Sequence, residues 1–237
     1  MQIERVDLMT AGQARGVVIV IDVIRAFTVA GYAFEGGARG LWLVRQVEEA
    51  MALREREPEA LLAGEVDGRL IPGFDHNNSP SLMALADVRG RLLIQRTGAG
   101  TQGAVNAANA THLLLCSLTN ARATAAYART LADSVGGVIT LLPTAYMESL
   151  SRTEDDVCAD YVEALLRERA DAQDVLEEGI AYLHSVKRFD WFSQDDSDNP
   201  FGDIAAVLAP DRFAFAMVGE RKWWGGIEYV EVRRVEV

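Results

Sequence analysis

Asp22 and Arg25 stand directly behind the apolar run Val17-Val18-Ile19-Val20-Ile21. A fully apolar run of that length reads as a buried central strand. The Ala/Val-rich stretch 26–33 after it reads as a helix. The carboxylate and the guanidinium are then expected at the C-terminal edge of a parallel sheet, where open α/β proteins place their sites. One fixed anion and one fixed cation at such an edge suit a divalent metal and an anionic substrate. From these two residues alone a purely structural use comes first: aspartate is a favoured helix N-cap, and Arg25 can serve only to cover a surface.

Four further segments carry polar residues of reactive type. Gly64-Glu65 runs on towards Gly73-Phe74-Asp75-His76-Asn77-Asn78-Ser79-Pro80. Arg96-Thr97-Gly98-Ala99-Gly100-Thr101 follows a short apolar run. Ser117-Leu118-Thr119-Asn120 follows another, and Glu154-Asp155-Asp156 opens a helix. In the Arg96 segment, small residues let backbone N–H groups approach an oxyanion, and the helix after it adds its positive end. Arg96 with the hydroxyls of Thr97 and Thr101 completes a phosphate cradle. It lacks the Gly-Lys-Ser/Thr ending of a Walker A loop, and glycine after a strand is also ordinary turn chemistry. Mg²⁺ takes hard oxygen ligands, often one or two carboxylates with waters and substrate phosphate. The carboxylates available are Asp22, Glu65, Asp75, Glu154 and Asp155; acids in a helix's first turn also serve simply to complement its dipole. His76, His112 and His184 show no metal spacing. His112 reads as structural, whereas His76 lies in a polar loop within reach of a substrate.

A rival chemistry is written in Cys116-Ser117-Leu118-Thr119-Asn120-Ala121-Arg122, a cysteine and an arginine at the spacing used by thiolate phosphatases. The glycines usual inside that loop are missing, and Ala123 stands where a hydroxyl commonly follows the arginine. A free cysteine is also commonly a small buried hydrophobe. The Asp-x-Asp pattern of haloacid-dehalogenase phosphatases fails at Ile24.

These loops need a framework. Apolar runs at 17–21, 41–44, 60–63, 92–95, 112–116 and 138–142 read as strands. Helical patterns at 46–57, 102–110, 120–133, 154–169, 172–185 and 204–208 alternate with them, and 213–218 with 227–235 read as a closing β pair. Ser151-Arg152-Thr153-Glu154 reads as a capping box before the helix at 154–169. The alternation predicts an α/β fold: a mixed, mostly parallel sheet with helices on both faces, in three layers. A single domain over 1–237 fits the length. The acidic segment Gln194-Asp195-Asp196-Ser197-Asp198-Asn199 fails the EF-hand pattern and reads as a solvated loop.

Bulk composition narrows the function. The net charge of −12 argues against nucleic acid and against an anionic membrane surface. Cys116 and Cys158 are the only cysteines, so neither a disulfide framework nor structural zinc is expected. The sequence lacks an apolar span of membrane length and a secretory start, so a cytoplasmic protein is expected.

Jointly, the segments resemble the 2-phosphosulfolactate phosphatase (ComB) family. The resemblance rests on Val20-Ile21-Asp22-Val23-Ile24-Arg25-Ala26, Leu62-Ala63-Gly64-Glu65, Gly73-Phe74-Asp75, Asn78-Ser79-Pro80, Gly100-Thr101, Ser117 with Asn120, Glu154-Asp155 with Cys158-Ala159, and Gly202-Asp203-Ile204. It implies a Mg²⁺-dependent hydrolase of 2-phospho-3-sulfolactate from the route to coenzyme M, in a ComB-like α/β fold. It places Asp22, Arg25, Glu65, Asn78, Ser79, Thr101, Ser117, Asn120, Glu154 and Asp155 at the site. Three positions depart from the family pattern: Asn77 and Asp160 stand where glycine is usual, and Ala99 lies in a loop that is often Thr-Asn-Gly-Thr.

The combined expectation is metal-assisted hydrolysis of a small anionic phosphomonoester. Asp22, Arg25, Asp75 and Glu154 are the catalytic set, and Asp22, Glu65, Glu154 and Asp155 the Mg²⁺ ligands. Asn78, Ser79, Arg96, Thr97, Gly98, Gly100, Thr101, Ser117 and Asn120 are the substrate contacts. Alternatives are the Cys116/Arg122 phosphatase and a non-catalytic anion-binding protein; a homodimer is the assembly left open.

Overall fold

The computed structural model describes residues 1–145, 150–190, 192 and 196–237. The apolar run at 17–21 becomes strand β2 (Gly16–Ile21), buried at every position. β7 (Ala110–Cys116) and β8 (Val138–Pro143) flank it, both parallel to it. β1 (Gln2–Arg5) pairs outside β8. A second parallel block holds β3 (Gly40–Val44), β6 (Leu92–Arg96) and β4 (Leu61–Val66), with the short antiparallel β5 (Arg69–Leu70) at its edge.

The hairpin of β9 (Phe215–Trp224) and β10 (Ile227–Glu236) joins the two blocks into one sheet, in the order β1-β8-β2-β7-β9-β10-β3-β6-β4-β5. β9 pairs antiparallel to β7, and β10 antiparallel to β3. The expected closing β pair therefore sits inside the sheet rather than at its rim.

This connection sets the direction of the blocks. On a flat sheet, β2 and β4 would run oppositely, and their C-terminal ends would lie at opposite edges. Strand twist of about 20–25° per pair, summed over the six steps from β2 to β4, comes to roughly 120–150° and largely cancels that reversal. The sheet coils instead of lying flat, and the carboxyl ends of both blocks meet.

The inside of the coil is filled by α1 (Ala26–Glu35), nine of whose residues, Ala26 to Phe34, are buried. Val18 and Val20 of β2, Leu115 of β7, Met217 of β9, Val230 of β10, Leu43 of β3 and Leu93 of β6 share its apolar cluster. Truncating the fully buried Phe27 to alanine would cost about 3–5 kcal/mol. On the outer face, α5 (Ala121–Ala132), α6 (Glu154–Leu166) and α7 (Ala172–Ser185) cover Val17, Ile19 and Ile21. α2 (Val47–Arg56) covers Trp42, Leu62 and Ile94 of the other block. Coil interior, sheet and outer helices make the three layers.

Several boundaries differ from expectation. β1 is a four-residue edge strand with charged residues, too short to show a pattern. α4 runs Gly100–Asn106, so the glycine loop is itself the first turn of the helix expected at 102–110. The capping box of α6 lies two residues later than expected: Thr153 accepts from the Asp156 N–H, and Asp156 accepts from the Thr153 N–H at 2.7 Å. Short helices α3 (Pro80–Met83) and α8 (Gly202–Val207) pack beside α1 and the site. Among the described residues, no helix is long and apolar enough to cross a membrane.

Candidate active site

The coil brings the loops after β2, β4 and β6 together around a hollow of about 190 Å³ lined by Asp22, Ile24, Arg25, Glu65, Asn78 and the 97–99 loop. Larger grooves of about 490 and 520 Å³ run beside α5 and α6. They are open surface clefts around Arg129 and Glu168; the clustered carboxylates belong to the smaller hollow.

Asp22 is 5% exposed. Its Oδ1 accepts from the Ala26 N–H at 2.9 Å, the first backbone donor of α1, although Arg25 and not Asp22 occupies the N-cap position. The Gly100 N–H also serves this carboxylate. Burial pushes its pKa up to about 7, against these two donors and with added repulsion from Glu154 and Glu65. The neighbouring Ile24–Arg25 peptide bond is cis.

Glu65 stands on the other side of the hollow. Gly64 sits so close to the Arg96 carbonyl, at φ +151°, that only glycine fits there. This close approach of β4 to β6 sets Glu65 against the following loop, where Oε1 accepts from Gly98 N–H at 2.7 Å and Oε2 from Gly68 N–H at 2.8 Å. Thr97 and Thr101 close the loop on itself. The Thr97 N–H donates to Thr101 Oγ1 at 2.9 Å, and Thr101 Oγ1 donates to the Thr97 carbonyl at 3.0 Å.

Arg25 is 2% exposed yet lines the hollow. Its Nη1 donates to Asp203 Oδ2 at 2.9 Å and to the Asp198 carbonyl at 2.8 Å. Asp198 also accepts from Asn77 Nδ2 at 2.7 Å and from the Leu70 N–H. The acidic segment expected to be simply solvated thus reaches the site from Asp198; its residues 194 and 195 lie outside the described residues.

Other expected members stand back from the hollow. Asp155 lies under Asp22, with its oxygens occupied by the N–H groups of Val23, Thr144 and Ala145 and the Thr144 hydroxyl. It ties the ends of β2 and β8 to α6. Burial, with Asp22 and Glu154 nearby, raises its pKa well above the ordinary range against those donors. Glu154 makes a two-pronged pair with Arg188 at 2.6 and 2.8 Å. Arg96 turns Nη1 and Nε to the main-chain carbonyls of Glu65 and Arg45. Asp75 is half-exposed, bound by Arg54 and by the Leu62 N–H at 2.7 and 2.8 Å. Ser79 caps α3 and donates to Asp203. Ser117 and Asn120 bond each other in the turn before α5.

The thiolate alternative fails on geometry. Cys116 is fully buried within the outer apolar cluster. Arg122 is held at the surface by Asp211 and the Tyr161 hydroxyl. No cradle links them.

Asp203 is the residue that sequence reasoning left out of the site. It is fully buried and gathers Arg25, Ser79 and Ser81. Its signal was Gly202-Asp203-Ile204, read there only as a matching motif.

Among the described residues, no three acidic, histidine or cysteine side chains converge as a ready-made metal cage. Two carboxylates, Asp22 and Glu65, do line one hollow. With Glu154 matched by Arg188, that donor set fits a hard cation completing its shell with waters and substrate oxygens.

The family model described as 2-phosphosulpholactate phosphatase matches residues 3–194. A curated "Probable 2-phosphosulfolactate phosphatase" of Bacillus subtilis (strain 168) is 42% identical over 150 residues, 62% of this chain and 63% of the relative. Proteins carrying that same description from Deinococcus radiodurans and Thermus thermophilus are 45% identical over 130 residues and 44% over 117. These matches span 54% of each chain for the first, and 49% of this chain and 48% of the relative for the second. The chain thus spans about half to under two thirds of the length of the curated relatives it matches. Arg25, Glu65 and Asp22 fall within the family match; Asp203 and the β9–β10 hairpin lie beyond it.

Proposed function

This chain belongs to the 2-phosphosulpholactate phosphatase family, and on that premise we propose that it is a Mg²⁺-dependent phosphatase of a small acidic phosphomonoester, 2-phospho-3-sulfolactate being the first substrate to test. The observation that carries the reading is Asp22: a buried carboxylate facing Glu65 across a hollow, with Arg25 in the same wall.

Asp22 and Glu65 are the residues that would hold the cation. Bound there, Mg²⁺ supplies charge neutralisation at phosphoryl oxygens and a more acidic water. The chain's own residues do the rest. Arg25 presents a fixed positive charge to an anionic group of the ester, phosphate or sulfonate. The loop at 97–99, held rigid by the Thr97–Thr101 bonds, aims small residues at the substrate so that its backbone can approach closely. Asp22, anchored by Ala26 and Gly100, holds its carboxylate in one orientation, positioned to take a proton from an attacking water. Ile24 gives the hollow one apolar wall. Glu154 and Asp155 act from behind, keeping the ends of β2, β8 and α6 in register. The net charge of −12 makes a locally neutralised hollow necessary for an anionic substrate.

The test is a phosphate-release screen over small acidic phosphoesters, phosphosulfolactate and phospholactate included, with Mg²⁺ and with a chelator. Release that depends on Mg²⁺ and favours esters with a second anion supports the reading. Release unaffected by chelation, or none from any ester, refutes it.

A further inference from the structure

We propose that Asp203 is a positioning residue that holds Arg25 in the wall of the hollow, so that the two act as one anion-gripping unit. This rests on the phosphatase reading for its substrate but on the geometry alone for the pairing. Asp203 is fully buried and its two oxygens divide their partners. Oδ1 accepts from the Ser79 hydroxyl at 2.7 Å, the Ser81 hydroxyl at 2.6 Å and the Ser81 N–H at 3.0 Å. Oδ2 accepts from Arg25 Nη1 at 2.9 Å. Three bonds to one oxygen fix the plane of the carboxylate; the other oxygen then fixes the arginine.

The arrangement has features of a positioning device. Arg25 and Asp203 are 178 residues apart, so the bond ties the β2–α1 loop to α8. The second contact of Nη1, the Asp198 carbonyl at 2.8 Å, comes from the same C-terminal stretch. Asn77 fastens that stretch through Asp198. A long arginine side chain carries much rotamer entropy; a buried carboxylate held by two serines restricts it before substrate arrives. Charge-assisted bonds of this kind are the strong ones.

The test uses the whole 237-residue chain with inorganic phosphate as probe in calorimetry, beside phosphate release. Asp203→Asn keeps an oxygen for the serines but turns an N–H towards Arg25. It is expected to weaken phosphate binding by roughly 10- to 100-fold, the scale of losing one charge-assisted hydrogen bond. In turnover the defect should appear mainly in KM, as for lost substrate binding. In Arg25→Ala, added guanidinium should restore phosphate binding in part; in the Arg25→Ala/Asp203→Asn double variant it should not. Should Asp203→Asn fold poorly, Ser81→Ala, which removes one bond to Oδ1, is expected to shift binding in the same direction by a smaller factor. Wild-type-like phosphate binding in Asp203→Asn, equal rescue with and without Asp203, or a wild type that binds no phosphate overturns the proposal. A wild type that binds phosphate but releases it from no ester would instead refute the phosphatase reading and leave these binding comparisons decisive.

Discussion

Gly100 lies so close to Asp22 that a side chain on residue 100 would overlap the carboxylate and the methyl group of Ala26. The loop after β6 is thereby pressed onto the loop after β2, and the Gly100 N–H serves the Asp22 carboxylate. Gly100→Ala should therefore cost about 1–3 kcal/mol from overpacking. It should also lower phosphate release by about 100-fold, since small misplacements of reacting groups are that costly. Thermal unfolding and turnover of the one variant check both.

Burial of Asp22 makes stability depend on pH. Its pKa is about 7 in the folded chain against an ordinary 3.8. Its raised value contributes stability that is fully present below pH 4 and is lost as pH rises through 7, a total of about 4 kcal/mol from three pKa units. Cation binding needs the ionised carboxylate. Added Mg²⁺ should consequently raise the melting temperature more at pH 8 than at pH 5. Asp22→Asn should flatten the pH dependence of the chelator-treated protein and abolish the Mg²⁺ response.

Glu154 and Arg188 form a nearly dry ion pair, their side chains 1% and 12% exposed. Removing either partner alone strands the other, at a cost of about 3–5 kcal/mol. The double variant Glu154→Gln/Arg188→Met should lose less than the sum of the single variants. Denaturant unfolding of the four proteins measures the coupling.

Cys116→Ser should retain turnover. The thiol is buried in the outer cluster and meets no anion site, so the cost is the burial of a hydroxyl, about 1–3 kcal/mol. Loss of phosphate release in a folded Cys116→Ser protein would revive thiolate chemistry.

The framework was legible where sequence pattern alone decides structure. An unbroken β-branched run such as 17–21 has few homes other than a central strand, and β2 occupies one. The acid behind it, the glycine loop and Glu65 converge on one hollow because the first two follow parallel strands and Glu65 stands at the carboxyl end of another. The hairpin's place was not legible. Residues 227–235 carry the same alternation whether they close a sheet or join two halves of it; only pairing with β3 and β7 decides.

Side-chain partners were less legible still. Arg96 has the composition of a phosphate grip, but two main-chain carbonyls lie within reach and engage its Nε and Nη1. Arg25 and Asp203 are far apart in sequence, and nothing local to either predicts the other. Asp155 and Glu154 are adjacent acids with different fates: one turns to backbone N–H groups, the other to Arg188.

The most direct test of the account is phosphate release by Asp22→Asn, assayed with Mg²⁺ at pH 8 beside the wild type, with folding confirmed by its melting curve. The account predicts a folded variant, at least as stable as the metal-free wild type, whose release falls about 100-fold or more. A folded Asp22→Asn protein that turns over like the wild type would contradict it.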